Sequence, residues 1–269
     1  MSTADSGKPL ADDYWSQARR PLAALLFLLP LLTVYEFGVM FFADSRHTVI
    51  RNGADCWMRG WLVSAGLQHP WLLPVAIVAL LGGWHLWQRH PWRCSLDTIC
   101  GMFAESLLFA MALVVLGQLM HLGFEKSPLS AMCTASVTLP SAGAAALAVS
   151  YVGAGIYEEV MFRLGLLPAC LLGMKAWLPR QAAICFAVVL TSLVFAAAHY
   201  VEPSSGGGWT TMLSATAGRI SSKPELWFGF AFRAVAGGLF AVLFLWRGFG
   251  VTVGCHAIYD LLVGVVMRP

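Results

Sequence analysis

Seven long apolar runs, each able to form a membrane-crossing helix, constrain the fold of this sequence more than any other feature. From residue 21 to residue 42 the chain carries a single charge, Glu36. At about 1.5 Å per residue such a run traverses a hydrocarbon core of roughly 30 Å. Further runs dominated by Leu, Val, Ala, Phe and Gly occupy residues 71–87, 99–122, 141–172, 181–200, 226–246 and 249–267. In lipid only helices and closed barrels satisfy their own backbone, and these unbroken runs lack the alternation of a barrel strand. The expected fold is therefore all-α, a polytopic transmembrane helical bundle of seven to eight spans. The doubtful eighth is residues 47–66, where Trp57, Trp61 and Leu62 stand among Arg51, Asp55 and Arg59, a mixture suited to a helix lying in the interface.

Composition agrees. The chain is 58% hydrophobic and 12% charged, against about 25% charge in a soluble domain, which excludes a water-soluble monomer. A net charge of +3, with no basic cluster, excludes nucleic acid as the main partner. The 7 cysteines form no Cys-x-x-Cys pair and lie mostly within apolar runs, so they read as small buried hydrophobes. Residues 1–20 are polar, mix both signs and lack the pattern of a cleaved leader, so they are expected to form a solvated tail before a bundle over 21–269. Ser204 to Gly208 is expected to open a flexible loop running to Pro224. Lys and Arg divide almost evenly between the two sides, so they set no orientation.

A charge inside a membrane helix is costly and faces a bundle interior or a wet cavity, which makes each one a functional candidate. Here they are Glu36, Glu105, Glu158 and Glu159 with Arg163, His199, Arg233, and His256 with Asp260. Glu159 and Arg163 are four residues apart, share a helix face at about 5–6 Å between Cβ atoms, and can neutralise each other. Glu158 points about 100° away and lacks that partner. A buried carboxylate without a counter-ion suits a general base that accepts and returns a proton. A purely structural reading of the same residues is an ion-pair group that pins the helix to a neighbour.

His199 ends the segment Phe195-Ala-Ala-Ala-His199, whose alanines admit a close neighbour and whose phenylalanine, one turn back, would wall the imidazole. His256 and Asp260 share a face of the last helix, where a hydrogen bond locking one rotamer is the structural alternative. Helix directions allow all three groups to converge below the membrane face that bears the loop at 204–224. Glu36, Glu105 and Arg233 stay unassigned, a Glu105–Arg233 pair being one way to neutralise two of them.

Taken in order, Glu158-Glu159-x-x-x-Arg163, Phe195-x-x-x-His199 and His256-x-x-x-Asp260 on separate membrane helices resemble the CAAX protease and bacteriocin-processing family of intramembrane peptidases, also called the Abi family. The similar region is about 141–267. The resemblance implies metal-independent, cofactor-free hydrolysis of peptide bonds by an activated water. It makes Glu158 the general base and His199 a holder of the water, with His256 and Asp260 at the oxyanion. Glu159, Arg163 and Phe195 would support the site. The prenyl-processing members carry Asn where this chain has Asp260, and an ionised Asp cannot donate to an oxyanion. Asp260 is therefore expected to orient a protonated His256 that alone donates.

The implied partners are the bilayer and a membrane-associated peptide or protein substrate, lipid-modified or not. The expected setting is an integral, multi-pass protein, in the plasma membrane by default. Two other readings remain open. One is a metal-dependent hydrolase using Glu158, His199, His256 and Asp260 as a mixed site suitable for zinc, although no His-Glu-x-x-His helix is present. The other is a non-enzymatic scaffold, immunity-type or transport protein, although no inverted repeat supports transport.

Overall fold

The computed structural model describes residues 13–42, 51–126, 143–201 and 209–267. Among these the chain is helical and contains no strand. A short helix α1 (Tyr14–Ala18) leads into α2 (Pro21–Phe42), followed by α3 (Gly53–Ser64), α4 (Leu72–Gln88) and α5 (Leu96–Glu125). Next, α6 (Ala144–Glu159) runs through a π-helical segment, Val160–Leu166, into α7 (Leu167–Met174), and α8 (Arg180–Ala198) returns. The chain ends with α9 (Trp209–Ser222), α10 (Trp227–Arg247) and α11 (Phe249–Leu261), which closes in a π turn at Leu262–Val266. Six of these units are long and apolar enough to cross a membrane, namely α2, α5, α6 with α7, α8, α10 and α11 with their flanking turns. The shorter apolar helix is α4. All seven apolar runs are thus helices, and the protein is a polytopic integral membrane bundle.

Local chemistry sets several ends. Ser95 caps α5, its hydroxyl accepting from the Thr98 N–H at 3.1 Å. Between α10 and α11 the chain reverses at Gly248, whose φ of 90° and closeness to the Arg19 backbone leave no place for a side chain.

Helix α11 lies at the centre, packed on α2, α5, α6 and α10. Small residues bring it close to α6. A Cβ on Gly155 would lie 2.7 Å from the backbone nitrogen of Ala257, so this crossing depends on glycine, as membrane helix interfaces commonly do. Gly155→Ala is expected to destabilise the bundle by about 1–3 kcal/mol, because backbone rather than a movable side-chain tip stands in the way. Thermal unfolding in detergent checks this; an unchanged midpoint would mean the helices separate freely.

One expectation is sharpened and three change. Among the described residues the segment at 47–66 is helical over Gly53–Ser64, in keeping with an interfacial helix, its residues 47–50 lying outside them. That length, about 18 Å at 1.5 Å per residue, is too short to cross. The expected loop before Pro224 is largely helix α9, residues 202–208 lying outside the described residues. The loop signal came from the Ser-Gly run, whereas 209–222 supplies Met, Leu and Ala and a single interior glycine. Among the six described cysteines only Cys255 is buried. Apolar runs in a membrane bundle also face outward, so membership of a run does not place a residue inside. Finally, Glu105 pairs with Arg247 rather than Arg233, accepting from Nη2 at 2.7 Å and Nε at 3.1 Å. Arg247 follows α10 to its end, where it meets Glu105 on α5 and lies over Trp15 at 4.2 Å from the ring centre.

Candidate active site

Helices α6, α8 and α11 bring together the acids and histidines singled out in the sequence. Glu158 Oε2 lies 3.7 Å from His199 Nε2 and 3.8 Å from His256 Nε2. Asp260 Oδ2 lies 3.4 Å from His256 Nε2. Among the described residues Glu158 Oε2 has no hydrogen-bond partner.

Each imidazole is held from behind. His199 Nδ1–H donates to the Phe195 carbonyl at 2.9 Å, which fixes the tautomer of the neutral ring and leaves the Nε2 lone pair facing Glu158. His256 Nδ1–H donates to Glu159 Oε1 at 2.8 Å. The shorter contact orienting His256 therefore comes from Glu159, while Asp260 faces the other ring nitrogen. Phe240 stacks on His256 at 4.5 Å with the planes 14° apart. Phe195 walls the pair, its ring 4.9 Å from that of His199 and 6.0 Å from that of His256.

Beneath the histidines, Glu159 and Arg163 form a fully buried pair, Oε2 to Nε 3.1 Å. Arg163 Nη2 donates to the Gly237 carbonyl at 3.1 Å, and its guanidinium lies over Phe195 at 5.0 Å. The π-helical segment begins directly after Glu159. π turns are often found at functional sites, where a widened turn re-aims side chains.

Glu158 and His199 line a cleft of about 250 Å³ that Gly53, Ala54 and Trp57 of α3 also line. Helix α3 is fixed by buried charges. Asp55 accepts from Arg51 and Arg59, each at 2.6 Å, and from the Tyr35 hydroxyl at 2.8 Å. Glu36 accepts from Arg59 at 2.8 Å and from the Tyr157 hydroxyl. Of the unassigned charges, Glu36 thus belongs beside the site. Arg233 stands near it too, donating to the Tyr200 hydroxyl at 3.0 Å and to the Gly229 carbonyl at 3.2 Å.

The α3 wall, the Glu159–His256 bond and the Phe240 stack are absent from the sequence reading. Trp57 among Arg51, Asp55 and Arg59 marked an amphipathic helix but not its target. Phe240 carried no signal, being one of 16 phenylalanines.

Residues 140–262 match the family model described as Type II CAAX prenyl endopeptidase Rce1-like, which agrees with the resemblance to the CAAX protease and bacteriocin-processing family. The likeness supports a membrane protease function. No curated protein and no solved structure matches the chain.

Proposed function

We propose, with the family likeness as premise, that this protein is an intramembrane endopeptidase that hydrolyses peptide bonds with a water activated by Glu158 and His199. The observation that carries the reading is the convergence of His199 and His256 on Glu158, at 3.7 and 3.8 Å, with Glu158 and His199 lining a cleft large enough to admit a peptide side chain. Separations of 3.7–3.8 Å exceed a direct hydrogen bond, and apo sites of this kind tighten once the reactants are bound. The water gives its proton to Glu158 while His199 Nε2 accepts its second hydrogen bond. Its oxygen then bonds to the carbonyl carbon. The tetrahedral oxyanion takes a hydrogen bond from Nε2–H of a protonated His256, whose Nδ1–H is anchored on Glu159 and whose charge is balanced by Asp260. Glu158 returns the proton to the leaving nitrogen as the C–N bond breaks.

The substrate in this reading is a membrane-associated peptide or protein, and the default location is the plasma membrane. The reading needs no metal, and the chelator arm of the test decides that point. The test is cleavage of a labelled peptide panel by detergent-purified protein, with and without chelator, for wild type and Glu158→Gln. Cleavage indifferent to chelator and lost in the variant is expected. Chelator-sensitive cleavage would instead make Glu158, His199 and His256 metal ligands, and cleavage that survives in Glu158→Gln would sink the reading.

Asp260 has its own signature. As a counter-charge to His256 it is not replaceable by an amide, so Asp260→Asn and Asp260→Ala are both expected to lower kcat at least about tenfold. Full activity in Asp260→Asn beside an inactive Asp260→Ala would show that this side chain itself donates to the oxyanion.

A further inference from the structure

We propose that α3 is the substrate-selecting wall of the cleft and that Trp57 sets the size of the side chain admitted beside the scissile bond. The proposal rests on the reading of Glu158 and His199 as the hydrolytic pair.

Three observations carry it. Gly53, Ala54 and Trp57 fall on one face of α3, at the three- and four-residue spacings that align side chains, and this face lines the same cleft as Glu158 and His199. Of the three, Trp57 alone is bulky, and a Cβ added to Gly53 would meet nothing within 4 Å. Among the described residues the α3 edge of the cleft thus leaves space at Gly53 and carries its bulk at the indole.

The other face of α3 is held in a fixed position. Asp55 and Arg59 project away from the cleft into a cluster shared with α2 and α6. One carboxylate, Glu36, joins both sides of the site. It accepts from Tyr157, the neighbour of Glu158, and from Arg59, two residues from Trp57. The spacing between the indole and the acid is therefore set through one buried group. Desolvating charges makes such a cluster a poor source of net stability but a good source of unique placement. A wall that must discriminate between side chains needs that placement, since one methylene of misfit changes rates about 10- to 200-fold.

The test compares peptides identical except for the residue beside the scissile bond, small in one and bulky in the other. Full-length protein in detergent is assayed as wild type, Trp57→Ala and Gly53→Leu, with Glu158→Gln as the inactive control. Trp57→Ala is expected to raise the bulky-to-small ratio of kcat/KM at least about tenfold, and Gly53→Leu to lower it. Equal losses on both peptides would assign Trp57 a structural role and overturn the proposal, as would an unchanged ratio. A second measurement needs no turnover. Protein carrying Glu158→Gln and Trp57→benzoylphenylalanine is irradiated with the same peptides. Crosslinking at position 57 supports the wall even if cleavage proves independent of Glu158, and its absence overturns the wall even if the hydrolytic reading holds.

Discussion

Glu158→Gln is expected to lower kcat by about 10²- to 10⁴-fold, the range associated with loss of a positioned general base. The amide keeps the shape of the side chain but cannot take a proton from water. Folding should be spared. Glu158 makes no ion pair with Arg163, and its contacts to His199 and His256, at 3.7 and 3.8 Å, are longer than hydrogen bonds, so the substitution leaves the buried Glu159–Arg163 pair intact. Steady-state cleavage and thermal unfolding in the same detergent separate the two effects. An inactive variant with a wild-type midpoint is the expected pair of results. A variant both inactive and unfolded would make Glu158 a structural acid, contrary to its position at the cleft.

Arg163→Met should behave in the opposite way. Arg163 and Glu159 are both fully buried, and removing the guanidinium leaves the carboxylate with the His256 ring alone to balance it, at a cost of up to about 3–5 kcal/mol. Packing is lost as well, because the guanidinium lies within 6 Å of the Phe162, Phe195 and Phe240 ring centres. Activity should fall with stability, since Glu159 also holds His256. The double variant Arg163→Met with Glu159→Gln removes the stranded charge and should regain part of the unfolding midpoint without regaining activity. A midpoint no higher in the double variant than in the single one would show that the aromatic packing, rather than the ion pair, carries the stability.

Part of this arrangement was legible in the sequence because charge stands out against an apolar background. Glu158, Glu159, Arg163, His199, His256 and Asp260 could be found singly, and the Glu159–Arg163 pair follows from helical period alone. What the sequence did not carry is contact between distant elements. His256 and Glu159 are 97 residues apart and Tyr157 and Glu36 are 121 apart, and no periodicity encodes such meetings. Glu105 illustrates the limit, for Arg233 was the intramembrane arginine in view, whereas packing brings in Arg247 from the very end of α10. Helix α3 was visible as amphipathic, yet an amphipathic helix on a membrane surface and one folded against a bundle share the same pattern. Short flanking helices such as α9 were hidden because glycine and serine nearby dominate the local signal.

The cluster around Glu36 also imposes an order of assembly. During synthesis α2 enters the bilayer before any partner of its acid exists, a state opposed by up to roughly 3.5 kcal/mol on insertion scales. Relief comes in two instalments. Arg51 and then Arg59, 23 residues after Glu36, let α2 and α3 close on each other, whereas Tyr157 follows only after a further long stretch of chain. The pair therefore waits as a half-finished socket, and the helix that completes it brings Glu158 in the same step. The nascent chain gains its reactive acid only when the surface that faces it is already in place.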